Sequence, residues 1–145
     1  MKVILEPTGQ PGETQVIIRC TQVDPAVQRL VNLLAASEKK LVGLQEGQSF
    51  LIAPQEIDYA ESVDKRTFLY TKDQVYESPM KLYELEQQLA GWDFVRAGKS
   101  LVIRLPAVRA FRPALGARLE VTFYSGERRY VSRQFVPQIR QKLGV

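Results

Sequence analysis

Hydrophobic positions recur at helical spacing in only three stretches of this chain; elsewhere they alternate with polar residues or run in short β-branched blocks. The first stretch follows Asp24-Pro25, an N-cap with proline at the first helical position, and carries Val27, Leu30, Val31 and Leu34 to about Ser37. The second begins at Ser78-Pro79, carries Leu82, Leu85 and Leu89 and stops near Gly91. The third is a terminal helix over Gln134–Leu143 through Phe135, Ile139 and Leu143, with Pro137 limiting its start. Between them the grammar is that of strands. Leu41–Leu44 and Ser49–Ala53 flank the hairpin signal Glu46-Gly47, and Glu56–Val63 and Thr67–Thr71 flank Asp64-Lys65-Arg66. Val75-Tyr76 precedes the second helix. Phe94–Arg96, Leu101–Leu105, Ala107–Phe111, Leu119–Tyr124 and Arg129–Ser132 follow it, the last two joined by a Ser125-Gly126 turn.

Ahead of all this, Lys2–Glu6 and Gln15–Cys20 read as short strands around the turn Pro7-Thr8-Gly9-Gln10-Pro11-Gly12. The pattern therefore predicts a mainly β protein, α+β overall. A small β-β-α arm over residues 1–40 leads into a β-rich domain over residues 41–145 with one inserted helix. Tyr59, Tyr70, Tyr76 and Trp92 are taken as packing residues.

Composition narrows the function more than the fold. Histidine is absent, which removes Ser-His-Asp and Cys-His nucleophile systems, and a single cysteine, Cys20, removes thiolate zinc sites. The expectation is a protein that is not an enzyme, with no cofactor, no metal and no small-molecule substrate. One cysteine also favours a reducing, cytoplasmic setting. The charge is uneven: residues 1–90 hold nine Lys/Arg against thirteen Asp/Glu, whereas residues 91–145 hold eleven against three, nine of the eleven being arginine. An acidic support carrying an arginine-weighted surface is how a polyanion binder is built; a solvated basic face is the plain alternative.

Gly98-Lys99-Ser100 looks like the end of a phosphate-binding P-loop. That motif needs a glycine at position 93, where Asp93 stands, and Ser100 must open a helix, whereas it runs into the strand-like Leu-Val-Ile-Arg-Leu. The P-loop reading fails, and the lysine and serine need another explanation.

One ordered set of features supplies it. The capped helix "SPMKLYELEQQLAG" leads into "FVRAGKSLVIRL", and a further strand leads to "GARLEVTFYSGERRYVSRQFVPQIRQKLG". This resembles the LytTR family of bacterial DNA-binding domains over roughly residues 42–145. The family form is a leucine helix, F-x-R-x-x-x-S-x-x-V-N-L, a strand, N-G-x-x-x-x-V-S-R-x-Y and a terminal helix. Phe94, Arg96, Ser100, Gly126, Val131, Ser132, Arg133 and Phe135 sit at the matching positions. The resemblance implies an elongated stack of small β-sheets that reads double-stranded DNA with side chains on loops, in a stand-alone transcriptional regulator without a receiver domain. Carried over residue by residue, it implies contacts from Lys65 and Arg66 or Thr67, then from Lys99 and Ser100, then from Arg133. Arg96, Arg129 and Arg140 would track the backbone.

The chemistry of those residues agrees. Lys99 is a compact charge suited to phosphate, Ser100 can donate to a phosphate oxygen, and Arg133 has the planar fork that reads guanine bidentately. The plain alternative for Arg133 is a surface ion pair with Glu120 or Glu127. Arg104 stands where the family has asparagine, and is either an added phosphate contact or an exposed strand residue. Ala97-Gly98 and Ser125 also depart from the family pattern. Two rival functions remain: a basic protein-interaction module, and an RNA binder, against which no RNP-like aromatic run appears. The arm is a candidate homodimer surface through Val27, Leu30 and Leu34, and a membrane-protein regulator is a candidate partner.

Overall fold

Asp24 does cap the first helix. Its Oδ1 accepts from the Val27 N–H at 2.8 Å and its carbonyl from the Gln28 N–H at 2.9 Å, opening helix α1 over Pro25–Ala36. The computed structural model describes residues 1–12, 14–36 and 39–145, so Ser37, the expected helix end, lies outside the described residues. Helix α1 rests against a 3-10 turn at Ala90–Trp92, with Asn32 beside Gly91, and Lys39 lies over the Trp92 ring at 5.0 Å.

The two strands expected before α1 are not there. Among the described residues no strand precedes Leu41; Lys2–Glu6 and Gln15–Cys20 enter no sheet. Their isolation explains this. A two-stranded hairpin with no third strand or helix to bury one face is marginal in water, and Val3, Ile4, Leu5, Val16 and Ile17 are exposed.

Ten strands follow: β1 Leu41–Gln45, β2 Gln48–Ile52, β3 Ile57–Val63, β4 Arg66–Thr71, β5 Val75–Ser78, β6 Phe94–Gly98, β7 Leu101–Arg104, β8 Val108–Ala114, β9 Arg118–Phe123 and β10 Arg128–Val131. They form a seven-stranded antiparallel sheet, in the order β2-β1-β5-β4-β3-β7-β6, and a three-stranded sheet, β10-β9-β8. Helix α2 spans Leu82–Gln88 and helix α3 Val136–Leu143. Strands β2 and β3 stand four places apart in the large sheet, about 19 Å if it were flat. Their connector contains a 3-10 turn at Pro54–Glu56, which rises only about 2 Å per residue. The sheet is therefore curled.

Helix α2 starts later than Ser78-Pro79 suggests. Ser78 ends β5, and its Oγ accepts from the Met80 N–H at 3.1 Å, a local turn that competes with capping. Lys81 takes the cap position instead, its N–H donating to Glu84 Oε1.

Two cores lie on opposite faces of the large sheet. Leu82, Leu85 and Leu89 bury one face against Leu41, Ile52, Ala60, Leu69, Phe94 and Val102. The small sheet and α3 bury the other: Leu119, Val121, Phe123, Val131 and Ile139 meet Tyr59, Val95, Ala97, Leu101 and Ile103. A register shift between Ile57 and Tyr59 sends these two residues, two apart, into different cores. Truncating a side chain as buried as Leu85 costs about 2–5 kcal/mol. Arg104 is neither an exposed strand residue nor placed to meet a ligand phosphate. It is half-buried, its Nε donates to the Ile57 carbonyl at 2.7 Å, and it faces Asp58 at 3.9 Å.

Candidate nucleic-acid interface

Three turns meet at one end of the curled sheet, and backbone hydrogen bonds put them there. Strand β3 pairs antiparallel with β7, and the Ser62 N–H donates to the Ser100 carbonyl at 2.9 Å. The β6–β7 turn therefore lies beside the β3–β4 turn. The Ser132 N–H then donates to the Ala97 carbonyl at 2.8 Å, drawing the end of β10 to the same place. Gly98 permits that approach. A Cβ at this position would stand 3.1 Å from Ser132 Oγ.

The rim of this end is cationic. Asp64 and Lys65 form the β3–β4 turn with φ of +51° and +66°. Lysine in that conformation costs about 1–2 kcal/mol, and such strain collects at functional positions. Lys99 and Ser100 form the next turn, both exposed, and Arg133 opens the 3-10 turn Arg133–Phe135 that leads into α3. Lys65, Lys99 and Arg133 carry no ion pair or side-chain hydrogen bond among the described residues. The acids that could have paired Arg133 are occupied: Glu120 by Arg112 and Glu127 by Arg129.

The other three expected site residues are engaged by the protein itself. Arg96 lies under the β6–β7 turn, where its Nη1 donates to the Lys99 carbonyl at 3.0 Å and Glu86 of α2 holds it at 3.2 Å. It shapes the turn that carries Lys99 and Ser100. Arg129 lies between the two sheets, stacked over Tyr59 at 4.6 Å, with Glu61 at 3.6 Å and Glu127 at 3.4 Å. Burial pushes the Tyr59 hydroxyl well above its ordinary range, although the Arg129 charge opposes this, so the ring stays neutral beneath the guanidinium. Arg66 opens β4 next to Lys65, but Glu77 binds it through two contacts of 2.9 and 2.6 Å. The hydrogen bond from Arg66 holds the Glu77 carboxyl below its ordinary range.

A shallow groove of about 410 Å³, lined by Phe50, Tyr76, Glu56, Asp58 and Asp73 among others, opens away from these turns. What this geometry offers is an exposed rim with three cations, unpaired among the described residues, and a hydroxyl, above arginines that are paired.

A family model described as the LytTr DNA-binding domain matches residues 47–144. The chain belongs to the LytTR family. The sensory transduction protein LytT of Enterococcus faecalis is 26% identical over 144 residues, which cover 98% of this LytTR chain and 59% of LytT. The chain thus spans about three fifths of that relative's length. HTH-type transcriptional regulators of Staphylococcus aureus are 22% identical over 147 residues, covering 100% of this chain and 99% of theirs. A LytTr DNA-binding domain from Bacillus cereus shares the fold, with a TM-score of 0.70 at 20% identity over 74% of this chain and 99% of that one. The LytTR motif residues take structural as well as rim positions here. Phe94 and Val131 are buried, Gly126 turns at φ +94°, and Phe135 packs on the core. The three α-helices are separated by strands, so no two of them form a helix-turn-helix among the described residues. Sequence reasoning passed over Glu86, the acid that fixes Arg96. Gly98 was weighed as the end of a P-loop and as a departure from the family, and not as what a glycine in a strand signals, the close approach of another backbone.

Proposed function

We propose that this LytTR chain binds double-stranded DNA through its loop end and acts as a transcriptional regulator in the bacterial cytoplasm, with no catalytic role. One observation carries the reading. Lys65, Lys99, Ser100 and Arg133, far apart in sequence, meet on one exposed rim with their polar groups unspent. In this reading Arg133 contacts a guanine edge through its planar fork, and Lys65, Lys99 and Ser100 contact phosphate or neighbouring edges. Arg96 and Arg129 serve as braces. Arg66 joins the rim only when it leaves Glu77.

The test is titration of duplex oligonucleotides over a range of salt concentrations. If about four phosphates are neutralised, log K falls against log salt with a slope near −3.6, from roughly 0.9 per phosphate. A flat response, or equal binding to single strands, removes the reading in favour of a protein-interaction module or an RNA binder.

We further infer a division of labour, with residues 41–145 as the reading unit and residues 1–40 as an attachment arm that self-associates. Exposed Val3, Ile4, Ile17 and Leu33 support this, since apolar surface of that kind is used for association. Ile17→Glu with Leu33→Glu is expected to shift the sedimentation coefficient toward a monomer while the selected DNA motif stays the same. A changed motif would show that the arm reads DNA itself. No helix among the described residues is long and apolar enough to cross a membrane.

A further inference from the structure

The loop end extends beyond Arg133. Strand β10 runs toward Ser132, so its antiparallel neighbour β9 begins at that end, with Val131 opposite Leu119. Strand β8 finishes there too, with Ala114 opposite Arg118. The Leu115–Ala117 turn joining β8 to β9 therefore stands beside the Ser132–Arg133 segment, on the side of β9 away from β10. Positive φ at Gly116 (+77°) and Ala117 (+60°) closes the turn, and Leu115 is exposed at its tip.

Arg118 follows this turn and is held in place from two sides. Its Nε donates to the Leu115 carbonyl at 2.9 Å, and its guanidinium lies 4.3 Å from the centre of the Tyr130 ring. Neither Nη nitrogen has a hydrogen bond among the described residues. Tyr130 is itself tied to Glu120, which also accepts from Arg112 Nε at 3.1 Å. Burial alone would raise the Glu120 carboxyl. The bonds from Arg112 and Tyr130, with the Arg128 charge, hold it below its ordinary range, so it is an ionised anchor at neutral pH.

The same outer face sets a distance ladder. Arg118 stands at the loop end; the row Arg112–Glu120–Tyr130 comes next, and the row Ala110–Thr122–Arg128 after that. Each step along a strand pair is about 6.7 Å. A duplex lying under the loop end would meet Arg118 first, Arg112 at the limit of its side chain, and Arg128 not at all.

We propose that the β8–β9 hairpin is a fourth DNA-facing element and that Arg118 binds a backbone phosphate flanking the bases read by the loops. This rests on the duplex-binding reading above. A guanidinium stacked on an aromatic ring and fixed through Nε loses little freedom when its two Nη groups meet phosphate oxygens, so the contact is favourable without new order in the protein. Such a contact adds affinity and register and carries no base preference.

The experiment titrates the full chain and its variants with selected and scrambled duplexes at several salt concentrations. Arg118→Gln is expected to lower the log–log slope by about one unit and weaken both duplexes by the same factor, roughly five- to tenfold. Arg112→Gln falls between, and Arg128→Gln matches the parent. Tyr130→Phe keeps the stack and most of the affinity, whereas Tyr130→Ala loses part of the same slope. Ethylation interference should show one flanking phosphate that matters to the parent and not to Arg118→Gln. If Arg118→Gln binds like the parent while Lys99→Ala lowers the slope, the loops read DNA and the hairpin proposal is overturned alone. A larger loss from Arg128→Gln than from Arg118→Gln also overturns it, since the face rather than the end would then be in contact. A parent with a flat salt response removes the loop reading, and this proposal with it.

Discussion

Cations at the rim of the loop end and arginines inside the body behave as opposites, although the chain spells both with the same residue types. Lys65, Lys99 and Arg133 are exposed and unpaired among the described residues, whereas Arg96, Arg104 and Arg129 have side chains 18, 17 and 28% exposed and each faces an acid from another element. Those acids are Glu86 on α2, and Asp58 and Glu61 on β3. Burying a guanidinium without a partner costs several kcal/mol, so every interior arginine requires an acid brought by the fold. The rim has no such requirement. Its like charges repel one another until a polyanion arrives, which makes it the part of the molecule with something to gain from binding.

The largest effect that could break this contrast comes from Arg129. Arg129→Ala removes the guanidinium from the Tyr59 ring and leaves Glu61 without its partner. It should destabilise the fold by about 2–4 kcal/mol, read as a lower denaturant midpoint at unchanged slope. The base preference of the folded fraction should not change. Should the variant prove as stable as the parent yet bind duplex poorly, Arg129 belongs to the rim and is not a brace.

Arg133→Ala is its mirror image. Unfolding should move by less than about 0.5 kcal/mol, as for an exposed unpaired side chain. Affinity for a selected duplex should fall by about 1–3 kcal/mol, with preference relaxed at one base position. Lys99→Ala is the weaker companion. It should cost all sequences similarly and lower the salt slope by about one unit. Equal losses on selected and scrambled duplexes for Arg133→Ala would make it a phosphate contact and place base reading elsewhere on the rim.

The same contrast explains what could be read from the chain beforehand. The helix at Asp24-Pro25, the Glu46-Gly47 hairpin and the leucine face of α2 are local, set by a cap, a turn with two positive φ angles and a period of 3.6 residues. The arm strands and the start of α2 were misread because they depend on something else. A strand needs an edge to pair with, and Ser78 had a nearer backbone partner in Met80. For the candidate interface, the motif pointed to three loops that the fold brings to one end, and charge counting pointed to residues 91–145 and so passed over Lys65. Neither could sort rim from brace. Arg96 and Arg133 differ only in whether a distant acid is folded against them, and that is a property of strand order and of the α2 position rather than of any local window.

Arg66 is the case on the boundary, and it gives the smallest and most discriminating effect. By position it belongs to the rim, one residue after Lys65; by chemistry it is a brace, with two contacts to Glu77 on the neighbouring strand. The pair is exposed enough that little stability depends on it. Glu77→Gln removes the carboxylate while keeping the shape of the side chain, and it should release the guanidinium to the solvent beside Lys65. If the rim is the duplex surface, binding then tightens slightly and the salt slope steepens by up to about one unit. Acidification should act in the same direction. Arg66 holds the Glu77 carboxyl below its ordinary range, so the pair is intact above that range and is lost only as pH falls through the depressed value. Lowering the pH would protonate other carboxyls as well, which makes the substitution the cleaner experiment. If Glu77→Gln weakens duplex binding instead, the paired Arg66 is what positions the β3–β4 turn, and it acts with Arg96 as a brace rather than with Lys65 as a contact.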